Sequence, residues 1–143
     1  MSLESFELHV QLGTPPDQVY QAWLDAEEHT DFTGGEATVD PRVGGVFTAG
    51  DGYIQGRTLE LEPERRIVQS WRTSDFEETD ADSRLELFFD ADGEGGCKLT
   101  LRHTDLPAGQ GARYEQGWRE FYFTPMVEYF AALDDVVAML HDL

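Results

Sequence analysis

The chain has 143 residues, of which 10 are Lys or Arg and 29 are Asp or Glu, so its formal net charge is −19. This length fits a single domain spanning residues 1–143, and 40% hydrophobic and 12% aromatic residues suffice for one core. The charge argues against nucleic acid and against an anionic membrane surface as partners, because both are negatively charged. With Cys97 as the one cysteine, no internal disulfide or cysteine metal cluster is expected.

No apolar run approaches the ~20 residues of a membrane span, and the first residues lack the pattern of a signal peptide. We therefore expect a cytoplasmic protein, as a monomer or a homodimer. The acidity has two interpretations. It is either the ordinary acidity of a chain from a GC-rich genome, or an adaptation to high salt, where ions screen a dense carboxylate surface.

The first third of the chain predicts a strand followed by a helix. Apolar and polar residues alternate over 5–12, which is typical of a half-buried strand. Thr14 is the predicted helix N-cap, with Pro15 at the first helical position and Asp17 three residues after the cap. The polar segment 25–31, which carries His29, then forms a short helix or a loop. The apolar face of the first helix comprises Pro16, Val19, Tyr20 and Trp23.

Glycine-rich turns then separate a series of short strands. Gly44-Gly45 is read as a hairpin turn, since no helix follows that would complete a phosphate-binding loop. Leu59 and Leu61 are expected on one face of their strand, and an acidic hairpin loop spans 75–82. The connections are too short for parallel crossovers, so the sheet is antiparallel. The predicted strands cover 36–40, 46–49, 53–62, 66–73, 84–90 and 97–103.

After residue 111 the apolar period changes from two to about 3.6, which predicts a long amphipathic helix over 112–141. Pro125 lies inside this helix and predicts a kink, because proline removes a backbone donor. The stripe consists of Tyr114, Trp118, Tyr122, Met126, Tyr129, Leu133, Val137 and Leu140.

This order of elements predicts an α+β fold. A curved antiparallel sheet of about six to seven strands grips the long C-terminal helix, with one or two short helices after the first strand. The apolar face of the sheet and that of the helix must be buried against each other. Such an arrangement leaves room for a cavity between them.

Four segments of the chain resemble the SRPBCC superfamily, the START-like or birch-pollen-allergen-like helix-grip fold. They are RVGGVF at 42–47, GRTLELEPERRIVQSWR at 56–72, LTLRHTDLP at 99–107 and YEQGWREFYFTPMVEYF at 114–130. Within the superfamily they are most similar to the Aha-type group, named after the activator of the ninety-kilodalton heat-shock chaperone's ATPase. The resemblance implies the helix-grip fold over most of the chain. It leaves the activity open, since the superfamily includes lipid and hormone binders and polyketide cyclases.

The sequence presents no convincing catalytic set. Cys97 and His103 lie six residues apart on one strand, roughly 20 Å at ~3.3 Å per residue, which is too far for a nucleophile and its base. His103 is either a hydrogen-bonded structural histidine or a polar group at a cavity rim, while His9 and His141 are expected to be exposed. No histidine pair has metal-ligand spacing. We expect neither a metal nor another cofactor.

An aromatic-rich set is the candidate cavity lining between sheet and helix. It either fills the space as plain core or lines a small-molecule pocket, for which apolar walls with few polar groups are typical. Tyr122, His103 and either Arg57 or Arg72 are the candidate polar groups. The set comprises Trp23, Phe32, Phe47, Trp71, Phe89, His103, Trp118, Tyr122 and Met126.

Three functions follow as alternatives. The first is binding of an apolar or amphipathic small molecule in the cavity. The second is a protein-interaction module that acts on a chaperone or another protein. The third, which the sequence favours least, is a cyclase- or lyase-type enzyme. An enclosed void would favour a ligand, whereas a filled core with an exposed apolar patch would favour a protein partner.

Overall fold

The computed structural model describes the backbone of residues 2–141 and the side chains of residues 2–133. Seven strands form one antiparallel sheet in the order β1-β7-β6-β5-β4-β3-β2. The α+β helix-grip prediction is therefore confirmed. The strands are β1 Glu4–Leu12, β2 Thr38–Val39, β3 Val46–Ala49, β4 Ile54–Glu62, β5 Arg66–Thr73, β6 Ser83–Ala91 and β7 Cys97–Leu106. The helices are α1 Pro16–Leu24, α2 Ala26–Thr33, α3 Gly111–Gly117 and α4 Thr124–His141, with a π-helical turn, Trp118–Phe123, between α3 and α4.

The central strands bury one face against the helices. Alternate residues of β6 are buried from Ser83 to Phe89, and those of β7 from Cys97 to His103. In β4 the pairing with β5 shifts between Thr58 and Glu60. This irregularity reverses the expected orientation of Leu59, which is exposed, although Leu61 packs against the core as predicted.

Helix α1 begins one residue later than predicted. Pro15 is the N-cap, in an extended conformation, and Pro16 takes the first helical position. Both prolines have a fixed φ, and the second lacks the N–H that a first-turn residue does not need. The predicted N-cap position is therefore wrong by one residue, and Thr14, which precedes the N-cap, is buried.

Helix α2 follows at once, with the Asp25 carboxylate accepting the Glu28 N–H at 2.9 Å. Gly34, with φ of 78°, ends the helix in the left-handed conformation that favours glycine. Its inward residues are His29 and Phe32, both buried. Because the segment is mostly polar, its sequence pattern does not indicate this buried face.

The C-terminal helix is interrupted before Pro125 by the π-helical turn. The Thr124 N–H donates to the Arg119 carbonyl, five residues back. Pro125 cannot donate a helical hydrogen bond and crowds the preceding turn, so the predicted distortion occurs there as a widened turn. The wide turn buries Trp118, Tyr122 and Phe123 together. The predicted exposure of His141 and the stripe positions Val137 and Leu140 lie outside the described side chains.

Candidate ligand pocket

A pocket of about 370 Å³ lies between the first part of the C-terminal helix and the adjoining ends of β4 and β5. Its walls come from the loop after α2, the β3–β4 turn, β5 and the α3–π segment. Most of the lining side chains are aromatic. The lining residues are Thr33, Gly35, Gly50, Tyr53, Ile54, Trp71, Arg113, Tyr114, Gly117, Trp118, Phe121 and Tyr122.

Two glycines shape this space. A Cβ on Gly35 would lie 3.2 Å from the Gly50 Cα, so the α2–β2 loop and the β3–β4 turn approach closely at one wall. On the opposite wall, a Cβ on Gly117 would meet nothing nearer than the Phe121 Cδ2 at 3.8 Å. The helix therefore leaves open volume where a larger side chain would stand.

A polar cluster borders one side of the pocket. The Tyr53 hydroxyl donates to Asp75 Oδ2 at 2.5 Å, and Arg113 Nη2 lies 3.4 Å from the same oxygen. Burial, together with the Asp75 hydrogen bond, raises the pKa of Tyr53 to about 12. Tyr53 therefore remains a neutral donor, and the cluster joins the β3–β4 turn, the β5–β6 loop and α3.

Tyr122 is fixed by a buried histidine. His29 Nδ1 lies 2.9 Å from the Trp23 carbonyl, which can only accept, so Nδ1 carries the proton. The Tyr122 hydroxyl therefore donates to His29 Nε2 at 2.8 Å. Burial lowers the pKa of His29 to about 4, although the bond to Trp23 acts in the opposite direction. His29 is neutral at pH 7 and orients Tyr122.

Trp118 is fixed by the second buried histidine. Its indole N–H donates to His103 Nδ1 at 3.1 Å, so the other nitrogen, Nε2, carries the imidazole proton and donates to Ser83 Oγ at 2.8 Å. Ser83 in turn donates to the Trp71 carbonyl at 2.8 Å. Burial lowers the pKa of His103 to about 3, and a second proton would confront the indole N–H. His103 thus occupies a fully bonded position in the core.

The pocket wall lacks an acid–base pair. Among the described residues no His, Asp or Glu lines it. Cys97 is buried at the first position of β7, and burial raises the pKa of its thiol to about 12.

Of the nine side chains predicted to line a cavity, three line the pocket: Trp71, Trp118 and Tyr122. The other six are buried in the core and do not border the pocket: Trp23, Phe32, Phe47, Phe89, His103 and Met126. Trp23 nevertheless stacks on Trp118, with 6.1 Å between ring centroids, and so supports the wall from behind. Arg57 and Arg72 also lie away from the pocket, where they bond the Gly44 carbonyl and Asp82.

Several other lining residues carry little or no signal in the amino-acid sequence. Tyr114 belongs to the predicted helix stripe but not to the predicted cavity lining, and helical spacing places Phe121 one turn after Gly117. Tyr53 and Arg113 carry no such signal. They reach the pocket from a glycine-rich turn and a helix start, whose positions depend on the tertiary fold.

None of the helices described in the structure is both long and apolar enough to cross a membrane.

The comparisons with known proteins agree with the resemblance found in the sequence. The human protein "Activator of 90 kDa heat shock protein ATPase homolog 1" is 31% identical over 117 residues, which are 82% of this chain. The chain spans about a third (34%) of that relative's length.

Solved structures agree as well. An HSP90 activator from Plasmodium falciparum has 31% identity and a TM-score of 0.79, with 90% of this chain and 96% of that chain covered. CalU16 from Micromonospora echinospora has 26% identity and a TM-score of 0.71, with 92% and 88% covered. Residues 13–131 match the family described as "Activator of Hsp90 ATPase homolog 1-like protein". The chain belongs to that family.

Proposed function

We propose that this chain binds a small apolar molecule in the aromatic pocket. The observation that carries the proposal is the space of about 370 Å³ beside a core that is otherwise filled with aromatic and aliphatic side chains. Small-molecule sites typically measure about 300–1,000 Å³ and are lined mainly by apolar groups. A bicyclic aromatic molecule is of suitable size.

The fixed rings of the wall support this function. Trp118 and Tyr122 are each held by a buried histidine, and their ring centroids lie 4.5 Å apart. Aromatic side chains held in this way have already lost their rotational freedom. Binding therefore costs little side-chain entropy.

Phe121 gives the pocket an apolar rim. Its side chain is 65% exposed, and it borders the pocket. A bound ligand would cover part of this surface. At about 25 cal/mol per Å² of buried apolar area, that contact contributes measurably to affinity.

The test compares two truncations on the same helix. Phe121→Ala removes the rim, whereas Val127→Ala removes a side chain that is 44% exposed and does not line the pocket. We expect 2-ethylnaphthalene, titrated by calorimetry, to bind Phe121→Ala about tenfold more weakly than wild type, from a loss of about 1.4 kcal/mol. Val127→Ala should bind like wild type. Absence of binding to wild type, or equal weakening by both variants, would contradict the proposal.

A contact with an Hsp90-type chaperone is the second candidate. The observation that favours it is the 31% identity both to the human ATPase activator and to the Plasmodium HSP90 activator. If this function holds, adding the purified chain should raise the ATPase rate of a purified Hsp90-family chaperone. An unchanged rate at saturating chain, with no complex seen by analytical ultracentrifugation, would oppose it.

A further inference from the structure

We propose that the pocket selects neutral aromatic molecules that carry a hydrogen-bond acceptor, such as an aryl ketone, and that the Trp71 indole N–H recognises this acceptor. The inference rests on the proposed function, because it names the ligand class of the same pocket. It follows from which donors of the wall are already bonded and from the charge around them.

Apart from the half-exposed Arg113 guanidinium, which bonds the Tyr114 hydroxyl and lies beside Asp75, most side-chain donors of the wall already have partners. The hydroxyls of the three tyrosines and the Trp118 indole all point to protein acceptors, so a ligand can receive their hydrogens only by breaking an existing bond. The donor–acceptor pairs are Tyr53 to Asp75, Tyr114 to Gln110, Tyr122 to His29 and Trp118 to His103.

Trp71 differs from these residues. It is 3% exposed, and its indole nitrogen has no hydrogen-bond partner among the described residues, although its carbonyl accepts from Ser83. No fully buried side-chain nitrogen or oxygen in the described part of the chain lacks a partner. An unbonded Trp71 N–H therefore keeps some accessible surface, and we assign that surface to the pocket, which Trp71 lines.

A pure hydrocarbon in the pocket would strip water from this N–H and leave it unpaired. An unsatisfied buried donor carries a desolvation penalty, which an acceptor on the ligand removes. The pocket should therefore discriminate between two molecules of the same shape that differ only in an acceptor oxygen.

The charges favour a neutral ligand. Among the described residues that line the pocket, Arg113 is the charged one, and it disfavours a cation. Asp75, 3.4 Å from Arg113, offsets that charge, and the chain's net charge of −19 repels an anion. A neutral carbonyl can accept a hydrogen bond from the Trp71 indole N–H, and neither Arg113 nor the net negative charge repels it.

The experiment uses two probes of nearly equal shape, 2-acetylnaphthalene and 2-ethylnaphthalene, with 2-naphthoate as the anion. We expect the ketone to bind wild type about fivefold more tightly than the hydrocarbon, which is the gain in affinity that one additional hydrogen bond provides. In ¹⁵N–¹H spectra the ketone should shift the Trp71 indole signal downfield. The indole signals of Trp23 and Trp118, which are already bonded to Gln69 and His103, should move less. 2-Naphthoate should bind more weakly than the ketone at low salt.

Trp71→Phe keeps an aromatic ring but removes the donor, so both neutral probes should bind this variant equally. If the variant loses cooperative unfolding, the wild-type affinities and the indole signals decide the matter alone. Equal affinities for the two neutral probes, with an unmoved Trp71 signal, would overturn the inferred ligand class and leave the proposed function standing. Failure of every probe to bind would overturn both.

Discussion

A larger side chain at Gly117 should fill the pocket and weaken ligand binding without lowering the stability of the protein. The residue lies in α3 with φ of −59° and ψ of −41°, which any L-residue adopts, and it borders the pocket. Its missing Cβ would contact only Phe121, at 3.8 Å. Gly117→Leu should therefore place an isobutyl group in the space that a ligand needs, and Gly117→Ala is the matched control.

Both variants should be at least as stable as wild type. Replacing a helical glycine by alanine gains about 0.5–1 kcal/mol, because the unfolded glycine loses more conformational freedom on folding. Leucine has nearly the same helix propensity and adds apolar contact with the pocket wall. The affinity for the probe, in contrast to stability, should differ between the two variants. We expect 2-ethylnaphthalene to bind Gly117→Ala within about threefold of wild type, and Gly117→Leu more than tenfold more weakly, a change of at least about 1.4 kcal/mol.

The assay pairs chemical denaturation, which gives the free energy of unfolding, with calorimetric titration of the probe. A Gly117→Leu variant that binds the probe as tightly as wild type would refute the placement of the ligand beside α3. A variant that unfolds more easily than wild type would show that the space at Gly117 is not open.

The remaining predictions concern stability. Burial holds the pKa of His29 at about 4 and that of His103 at about 3, below the value of about 6.5 for an unfolded histidine. The unfolded chain therefore binds more protons below pH 6.5, and the stability present above that pH is lost on acidification. The slope for each histidine approaches about 1.36 kcal/mol per pH unit as the unfolded imidazole becomes protonated, so the two groups together remove about 3 kcal/mol between pH 6.5 and pH 5. Denaturation at several pH values measures this loss, and a constant free energy across that window would contradict it. Trp118→Ala should cost about 3–5 kcal/mol, because Trp118 is buried and contacts Trp23, Trp71 and Tyr122; a variant that melts within a few degrees of wild type would contradict the assignment. The melting temperature should rise as sodium chloride increases from 0.01 to 0.3 M, because the net charge of −19 is increasingly screened. A fall in this range would show that ion pairs such as Arg66–Glu86 outweigh the net repulsion. A rise that continues through molar salt would favour high-salt adaptation over ordinary acidity.

The sheet could be predicted from the sequence because its signal is local. Alternating apolar residues follow directly from strand geometry, as in β5, whose predicted bounds of 66–73 are those observed. The change of period after residue 111 likewise located the C-terminal helix. Where a single residue broke the pattern, as at Leu59 in β4, the interpretation was wrong, because an irregular pairing is set by the neighbouring strand.

Much of the pocket could not be predicted, because its residues meet only in the folded chain. Aromatic residues identified the wall at Trp71, Trp118 and Tyr122, but the same residue types also fill the core. His29 lies in an eight-residue helix with few apolar residues, so no period marked it as buried. The hydrogen bond that it shares with Tyr122 joins residues 93 apart in sequence.

Locating a bound probe tests the central claim most directly. Intermolecular nuclear Overhauser effects should be measured between 2-ethylnaphthalene and the ¹³C-labelled protein at saturating probe. We predict contacts from the probe to Trp118, Tyr122 and Ile54, which line the pocket. Contacts confined to the groove between β1 and the C-terminal helix, around Val10 and Phe123, or the absence of any contact, would contradict the account.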